Sequence, residues 1–481
     1  MMKYETVIGL EVHTQVRSRS KMFCSCANEF GAAPNTNVCP VCMGYPGVLP
    51  VPNKAAILAT VRAGLLLGCS IARFSKFDRK NYFYPDMPKN YQISQYDLPF
   101  CTKGAIRLSG TGLSGAPLPE KEIGITRIHL EEDVGKLTHF RQESGVDYNR
   151  AGVPLMEIVS EPDMRSADEA YAYLCSLKEI MRFGGISDCD MEKGQMRCDV
   201  NISLRPVGQK EFGTKIELKN LNSFRAVHRA IDFEIDRQTE VLESGGALRQ
   251  ETRGWNDDRG ESYLMRTKES AHDYRYFPEP DLMPVTFTDE EIEAIRADLP
   301  ELPEAKRRRF REDYGLTEYD AGVLTADREL ADYFDEAAKL VKTPKQAANW
   351  IITSLLALTG EAGTGVADSP VTPVKLAGLI DAIDSGTING KIAKDVFAEM
   401  FATGKDAETV IREKGLAQVS DAGAIAGSVA EVIGQFPKQL AEYRAGNAKI
   451  LQFFVGQVMK LTRGKANPGM VVAELKKQLG E

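Results

Sequence analysis

Apolar and polar residues alternate with a period of two along much of the chain before Thr288. The alternation is clearest in six segments, ETVIGLEVHTQV, AIRLSG, KEIGITRIHLEED, PLMEIVSE, RCDVNISLRP and TKIELKN. Glycine, proline and asparagine separate these segments, as is typical of strands joined by turns. The pattern predicts an antiparallel sheet.

Helices are expected beside this sheet. Ser166 precedes a helical segment and has Glu169 three residues later, which is the spacing of a capping box. A second helix is predicted to begin at Ser223 and to end at the glycine pair of residues 245–246. From Thr288 onward, apolar residues recur three and four positions apart, which indicates a helical region.

These patterns predict an α+β protein with three domains. Residues 1–293 would form a sheet-based cradle domain, residues 294–405 a helical domain, and residues 406–481 a small helical tail domain. The loose stretch GEAGTGVADSPVTPV interrupts the helices, and the segment ATGKDAET marks the last boundary.

Composition narrows the class of protein. The 481-residue chain is 43% hydrophobic and 27% charged, which is typical of a globular protein. Its apolar runs, such as IITSLLAL, are too short to span a bilayer, and we find no signal peptide, so we expect a cytoplasmic protein outside the membrane. The net charge of −8 gives no overall signature of nucleic-acid binding. The last 41 residues, in contrast, contain seven Lys and Arg against three acidic residues.

Acidic residues and histidines share faces of the predicted strands. Residues two apart in a strand point to the same side, which pairs Glu11 with His13 and His129 with Glu131. Glu157 lies among apolar neighbours, where a buried carboxylate needs a cation or a hydrogen-bond donor. Carboxylates together with a histidine suit Mg²⁺ or Mn²⁺. A salt-bridged sheet surface is the alternative interpretation.

Four cysteines form two close pairs, Cys24 with Cys26 and Cys39 with Cys42. Two such pairs on turns can supply four thiolates to a tetrahedral zinc ion, and four protein ligands would make the zinc structural. Free thiols are the alternative, whereas disulfides are not expected in a cytosolic chain.

The segment KFDRKNYFYPDMPKNYQISQYD, residues 76–97, mixes cations with aromatic rings. Arg79 and Lys80 are suited to grip phosphates, and Tyr82 and Tyr84 are suited to stack on a base or a terminal nucleotide. This composition predicts a nucleotide-binding site. An aromatic loop packed on the sheet is the alternative.

Common nucleotide-binding motifs do not apply to this chain. Residues 110–115 match GxGxxG, but Pro117 and Pro119 follow where a dinucleotide-binding fold needs a helix, so we expect a hairpin loop. The sequence contains no P-loop, no kinase signature, no GxSxG serine nucleophile and no Ser-rich glycine motif of an amidase. Any ATP must therefore be held by a metal and by Lys or Arg side chains.

Several sequence blocks follow one another in the order of a known family. ETVIGLEVHTQ is followed by the 76–97 segment, GITRIHLEEDVGK, AGVPLMEIVSEPD, MRCDVNISLRP, KIELKNLNSF, DYRYFPEPDL and VGQVMKLTRGKANP. These blocks reach from Glu5 to Pro468. Essentially the whole chain therefore resembles the B subunit of the tRNA-dependent aspartyl/glutamyl amidotransferases.

The resemblance implies roles for single residues. The family's magnesium ligands fall on His13, Glu131 and Glu157 of this sequence. Ammonia attack needs a base, and either Glu11 or His13 would serve. The residues that would take part in catalysis around this pocket are Glu11, His13, Lys80 and Asp199.

Nucleotide and RNA contacts are implied as well. Arg275 in DYRYFPEPDL would contact phosphate or the terminal adenosine. The family's C-terminal helical domain reads the tRNA elbow, and the match here places Lys460, Arg463 and Lys465 against a folded RNA backbone. A solvated basic helix end is the alternative for the charge alone.

By this resemblance, the chain is the kinase and transamidase component of a glutamine-hydrolysing ligase. It would use ATP and Mg²⁺ to phosphorylate the side-chain carboxylate of Glu-tRNA(Gln) or Asp-tRNA(Asn), and ammonia would then displace the phosphate. An amidase partner, the A subunit, would supply the ammonia from glutamine, and a small C subunit would brace the heterotrimer. Two other classes stay open: a non-catalytic, zinc-bearing tRNA-binding scaffold and a metal-dependent hydrolase that needs no ATP.

Overall fold

The structure is a computed structural model that describes residues 3–108, 110–267, 274–417, 422–462 and 466–480. The chain divides into two compact units, Met1–Leu302 and Pro303–Glu481. The predicted boundaries at residues 293 and 405 stay predictions. None of the helices in the described parts of the chain is long and apolar enough to cross a membrane.

The first unit contains the strands, together with four helices among its described residues. In chain order its elements are β1 (Tyr4–Gln15), α1 (Lys54–Leu66), β2 (Ser70–Ile71), β3 (Phe74–Ser75), β4 (Asp78–Asn81), β5 (Tyr91–Ser94), β6 (Cys101–Leu108), β7 (Lys121–Glu132), β8 (Lys136–His139), β9 (Ser144–Asp147), β10 (Pro154–Ser160), α2 (Ala167–Phe183), β11 (Met196–Pro206), β12 (Ile216–Leu221), α3 (Phe224–Glu243), β13 (Glu251–Asn256), β14 (Glu261–Thr267), β15 (Phe277–Pro278), β16 (Val285–Thr286) and α4 (Asp289–Ala297).

The regular elements in the described residues of the second unit are all helices, as the sequence predicts. Its elements are α5 (Pro303–Tyr314), α6 (Glu318–Leu324), α7 (Arg328–Leu340), α8 (Pro344–Trp350), a π-helical turn (Ile351–Leu355), α9 (Leu356–Ala362), α10 (Pro373–Asp384), α11 (Gly390–Thr403), α12 (Ala407–Lys414), α13 (Ala422–Gln435), α14 (Pro437–Arg444), α15 (Ile450–Leu461) and α16 (Pro468–Leu479). Together with the sheet of the first unit, they confirm the α+β class.

A nine-stranded sheet forms the centre of the first unit, in the order β14-β13-β12-β11-β1-β10-β7-β6-β2. Its paired strands are antiparallel except for β12 and β13, which run parallel. The predicted antiparallel sheet is therefore confirmed except at this pair. The helix α3 connects β12 to β13 and returns the chain to the edge of the sheet at which β12 begins. The strand β13 therefore runs in the same direction as β12, as after a helical crossover.

The two faces of the sheet have different chemistry. On β1, Ile8, Leu10 and Val12 are fully buried and pack in one core with residues of α2 and α3. Because side chains alternate along a strand, Glu11 and His13 point to the opposite face. A small sheet, β15-β4-β5, lies over this polar face. The candidate site lies between the two sheets.

Local sequence signals set several element ends. Ser166 caps α2 by accepting a hydrogen bond from Glu169 N, but the Glu169 carboxylate bonds Arg165 N, so the reciprocal half of the predicted capping box is wrong. An ion pair with Lys121 also holds that carboxylate. The helix α3 begins at its N-cap residue, Ser223, as predicted, and the Ser223 side chain caps it. The 110–115 segment is a loop of the β6–β7 hairpin, which confirms the rejection of a dinucleotide-binding motif.

Candidate active site

Three neighbouring strands bring the predicted magnesium ligands together. In the register of the sheet, His13 on β1 lies opposite Glu157 on β10, and Glu157 lies opposite His129 on β7. Glu131 follows His129 by two residues and therefore points to the same face. One ligand atom each from His13, Glu131 and Glu157 lie within 4.8 Å of one another. The strand pattern thus builds a compact cluster.

The cluster is buried and rich in metal-ligand atoms. Glu157 Oε2 lies 3.4 Å from both His13 Nε2 and His129 Nε2, and Glu131 Oε2 lies 3.6 Å from His129 Nε2. Glu131 is 2% exposed and Glu157 is 7% exposed. Within the described residues, the buried Nδ1 of His129 has no hydrogen-bond partner. Two carboxylates with imidazole nitrogens are a donor set that fits Mg²⁺ or Mn²⁺.

Charges within the cluster shift the pKa values of its members. Burial disfavours the charged imidazoles, but Glu157 and Glu131 outweigh burial and raise the pKa of His129 to about 9. Glu157 likewise raises the pKa of His13 against the effect of burial. Burial opposes ionisation of Glu131, yet the nearby Lys80 ammonium holds the pKa of Glu131 below its usual value. The carboxylates are therefore ionised at neutral pH and available to a cation.

A second carboxylate group lies beside the first on the same face. Glu11 on β1 lies opposite Asp199 on β11, and Glu217 on β12 completes the group, with one oxygen from each within 4.8 Å of the others. The Lys219 ammonium pairs with Asp199 and lies 3.3 Å from Glu217 Oε1. Asn201 Nδ2 donates to Glu11 at 2.9 Å. These three carboxylates can hold a divalent cation in place of the Lys219 ammonium.

Lys80 and several tyrosines form a wall of the site. Lys80 lies on β4, and its Nζ is 5.2 Å from the centroid of the Tyr274 ring. Tyr82 contacts Tyr274 edge to face at 6.0 Å, and Tyr96 stacks on Tyr276 with ring centroids 4.3 Å apart. A cation next to aromatic faces is suited to phosphate and to a flat base.

The other predicted nucleotide-binding residues lie in different environments. Arg79 donates two hydrogen bonds, of 2.6 and 2.8 Å, to the buried Glu279 carboxylate, so it stabilises the pairing of β4 with β15. Tyr84 is 56% exposed in the loop after β4. Arg275 is exposed and has a φ of 43°, and its carbonyl accepts a hydrogen bond from Asn81. Their contacts with a nucleotide stay predictions.

The four cysteines of the predicted zinc site meet between β1 and α1. Their Sγ atoms all lie within 4.8 Å of one another. Zinc–sulfur bonds of about 2.3 Å place the sulfurs of a tetrahedral site about 3.8 Å apart, so this arrangement fits zinc. A hydrogen bond with the Cys24 thiol, helped by the Lys21 ammonium, holds the pKa of Cys42 well below that of a free thiol. Cys39 N also donates to Cys42 Sγ, at 3.2 Å.

The structure adds residues that the sequence did not single out. Ser94 Oγ on β5 donates to Glu131 Oε2 at 2.9 Å, and Arg127 Nη2 lies 3.9 Å from Glu157 Oε1. Glu217 and Lys219 enter through the pairing of β12 with β11. The alternation in TKIELKN placed these two residues on one face, but it gave no sign of the neighbouring strand. Ser94 carried no signal of its own.

The tail residues are only partly described. Lys460 is exposed in the last turn of α15. Arg463 and Lys465 lie outside the described residues. The two predicted helices on either side of their loop are present as α15 and α16, which share a core containing Phe454, Val458 and other apolar residues.

Two family models match segments of this chain. Residues 6–293 match the family model described as the GatB/GatE catalytic domain, and residues 332–479 match the one described as the GatB domain. The polar cluster of the first unit therefore lies in the segment that matches the GatB/GatE catalytic domain.

Relatives with similarity over the full length then identify the family. The chain is 54% identical over 486 residues to the B subunit of the aspartyl/glutamyl-tRNA(Asn/Gln) amidotransferase of Carboxydothermus hydrogenoformans, with 100% of both chains covered. The proteins of the same name from Thermoanaerobacter pseudethanolicus and Brevibacillus brevis are each 54% identical, over 481 and 473 residues, with 100% and 98% of both chains covered. The chain belongs to the family of aspartyl/glutamyl-tRNA(Asn/Gln) amidotransferase B subunits, which are parts of multi-subunit, ligase-type complexes.

Proposed function

We propose that this chain activates the side-chain carboxylate of glutamate or aspartate on a mischarged tRNA with ATP and then amidates it. The observation that carries the proposal is the buried cluster of His13, Glu131 and Glu157, next to the Lys80 wall. The name of the relatives, which includes an amidotransferase and tRNA(Asn/Gln), supports the substrate class.

Amidation of a carboxylate needs a better leaving group than oxide. A side-chain carboxylate oxygen attacks the γ-phosphorus of ATP, the bond from that phosphorus to the bridging oxygen breaks, and ADP leaves. Ammonia then attacks the carbonyl carbon of the acyl phosphate. The carbon–oxygen bond breaks, phosphate leaves with one oxygen of the original carboxylate, and ammonia loses a proton to a base. The acyl phosphate lowers the barrier because phosphate is a stable leaving group.

The side chains on the polar face have distinct roles in this chemistry. His13, Glu131 and Glu157 would hold magnesium, which when bound offsets charge on the phosphates. Lys80 places a fixed positive charge at the same site. As a metal ligand His13 has no free Nε2 lone pair, so we assign the base that takes the ammonia proton to Glu11.

The cysteine cluster would have a structural role. Four thiolates fill the coordination of a tetrahedral zinc ion and leave no open position for a substrate. Zinc would therefore fix the loop between Cys24 and Cys42, which lines the same cavity as Lys89 and Glu132. The cofactors of the proposal are accordingly ATP with Mg²⁺ for the reaction and Zn²⁺ for the fold.

The proposal requires partner proteins and RNA. The sequence carries no amidase motif, so ammonia must come from a second protein that hydrolyses glutamine. We assign this step to an amidase, the A subunit of the complex, with a small C subunit completing the heterotrimer. The substrates are Glu-tRNA(Gln) and Asp-tRNA(Asn), and exposed Lys460 would contact the tRNA backbone.

Substitution of a cluster carboxylate tests the proposal. The purified complex is given Glu-tRNA(Gln), Mg-ATP and glutamine, and ADP and amidated tRNA are measured together. Glu131→Gln keeps the size of the side chain but removes the charge, and we expect a loss of at least about 100-fold in both products with tRNA binding unchanged. Glu120→Gln, which alters an exposed carboxylate, is the matched control and should retain activity.

Each rival class predicts a different result. Tight tRNA binding by the unaltered complex without ADP or amide would favour the scaffold. Hydrolysis of a substrate without ATP would favour the hydrolase. Full activity in Glu131→Gln would exclude the cluster as the reaction centre.

A further inference from the structure

Lys21 is a fully buried lysine in the loop that follows β1, with 0% of its surface exposed. Its Nζ donates to the Asn37 carbonyl at 2.9 Å and to the Tyr148 carbonyl at 3.4 Å. Cys42 Sγ lies 3.7 Å from the same nitrogen. Throughout the described residues, no carboxylate forms an ion pair with Lys21. Carbonyl oxygens satisfy the ammonium hydrogen bonds but carry no net charge to balance it.

Burial of an ammonium without an anion is strongly unfavourable, so such groups in proteins are paired. Among the described groups that contact the ammonium, the Cys42 thiol is the one able to carry a negative charge. Lys21 N also donates to the Cys26 carbonyl at 2.9 Å, so this residue touches both cysteine pairs. We infer that Lys21 is the charge partner of a tetrathiolate zinc centre formed by Cys24, Cys26, Cys39 and Cys42, and that it strengthens zinc binding.

The net charge of such a zinc centre explains why Lys21 is buried beside it. Four thiolates around Zn²⁺ carry a net charge of −2, and a buried site of that charge needs a cation nearby. Lys21 reduces the combined charge to −1 and gives a positive donor to one sulfur. Outer-shell partners of this kind orient metal ligands and tune the affinity of the site. The inference rests on the zinc site in the proposed function and adds a residue outside its four ligands.

Lys89 offers an internal comparison. It is also largely buried, and it lines the cavity of about 260 Å³ that Cys24 and Cys42 line as well. Its ammonium, however, pairs with the Glu132 carboxylate. Lys89 therefore has its own anion, whereas Lys21 has no carboxylate partner among the described residues. The two lysines lie in the same region of the structure but have different charge partners.

The inference is tested by measuring the zinc affinity of variants in which residue 21 carries no charge. The full chain is purified, its bound zinc is measured by mass spectrometry, and its affinity is determined by competition with a chromogenic zinc chelator. We expect Lys21→Met to bind zinc 10 to 100-fold more weakly, which is the usual effect of losing an outer-shell partner. Lys21→Gln keeps a donor for the Asn37 carbonyl without the charge, and it should weaken zinc binding to a similar extent. This second variant also serves if Lys21→Met does not fold.

Matched controls separate charge from packing. Lys21→Arg retains the charge and should keep most of the affinity. Lys54→Met removes an exposed charge at the start of α1 and should bind zinc as tightly as the unaltered chain. A packing role would lower the melting temperature of the zinc-loaded and zinc-free Lys21→Met chain equally, whereas the charge role reduces only the increase that zinc gives. Zinc bound equally by the unaltered chain and both charge-free variants would overturn the role of Lys21 alone. An unaltered chain that binds no zinc would overturn the zinc site and this inference together.

Discussion

His129 lies inside the carboxylate cluster, and its charge depends on Glu157 and Glu131. These carboxylates raise its pKa to about 9, whereas a histidine in an unfolded chain titrates near 6.5. Because the pKa is higher in the folded state, the charged imidazole stabilises the fold fully below pH 6.5, and this contribution is lost as the pH rises through about 9. In magnesium-free buffer, we expect the thermal midpoint of the first unit to fall between pH 6.5 and 9, and to fall less in His129→Gln. An equal fall in both chains would contradict the assigned pairing.

Single residues were predictable where type and spacing carried the signal. Glu11 and His13 were predicted on one face from their spacing of two in an alternating strand, and the structure places them so. Arg79 was predicted for phosphate because it lies among tyrosines. Its bidentate partner Glu279 is 200 residues away, and only the pairing of β4 with β15 brings it there. The residues near Arg79 in the sequence therefore do not predict its contact with Glu279.

At the scale of elements, Asp133 ties together three strands beside the cluster. It directly follows β7 and accepts hydrogen bonds from Gln15 on β1 at 2.9 Å and from Arg197 on β11 at 2.9 and 3.1 Å. Its side chain is 1% exposed, while that of Arg197 is 35% exposed. Asp133→Ala should therefore destabilise the first unit by about 3 kcal/mol, the low end for breaking a buried pair, because Arg197 regains water.

Urea unfolding followed by the fluorescence of Trp255 measures this effect when Trp350→Phe removes the signal of the second unit. Trp255 is buried in β13 of the first unit. Glu120→Ala breaks the exposed pair with Arg107 and should cost at most about 1 kcal/mol. Equal effects of the two alanine substitutions would show that Asp133 has no special role in joining these strands.

Element order was harder to predict than element type. Alternation in the sequence identified the central strands β1, β7, β10, β11 and β12 as strands. It could not reveal that β12 pairs in parallel with β13, because that pairing depends on the path of the chain through α3. The short strands β4 and β5 lie in the 76–97 segment, for which the composition predicts a nucleotide-binding site and the sequence has no clear period that would predict strands. Tertiary pairing with β15 and contacts to β7 give them their regular structure.

At the scale of the whole molecule, the α+β class and the helical second half follow from the change of hydrophobic period near Thr288. The structure divides the chain after Leu302, which lies beyond that change and beyond α4. The alternation alone does not predict the function, because the same pattern would also form a sheet that carries no reactive side chains. What distinguishes this sheet is the row of polar residues on one of its faces.

Phosphoryl transfer to the side-chain carboxylate is the step on which the proposed function depends. It can be followed in the complex with its partner proteins, given Glu-tRNA(Gln) whose side-chain carboxylate oxygens are both labelled with ¹⁸O. After amidation with Mg-ATP and glutamine, the inorganic phosphate is examined by mass spectrometry. We expect one ¹⁸O in each phosphate released, since the carboxylate oxygen leaves with the phosphorus. Amide formed with phosphate free of ¹⁸O would exclude phosphorylation of the carboxylate.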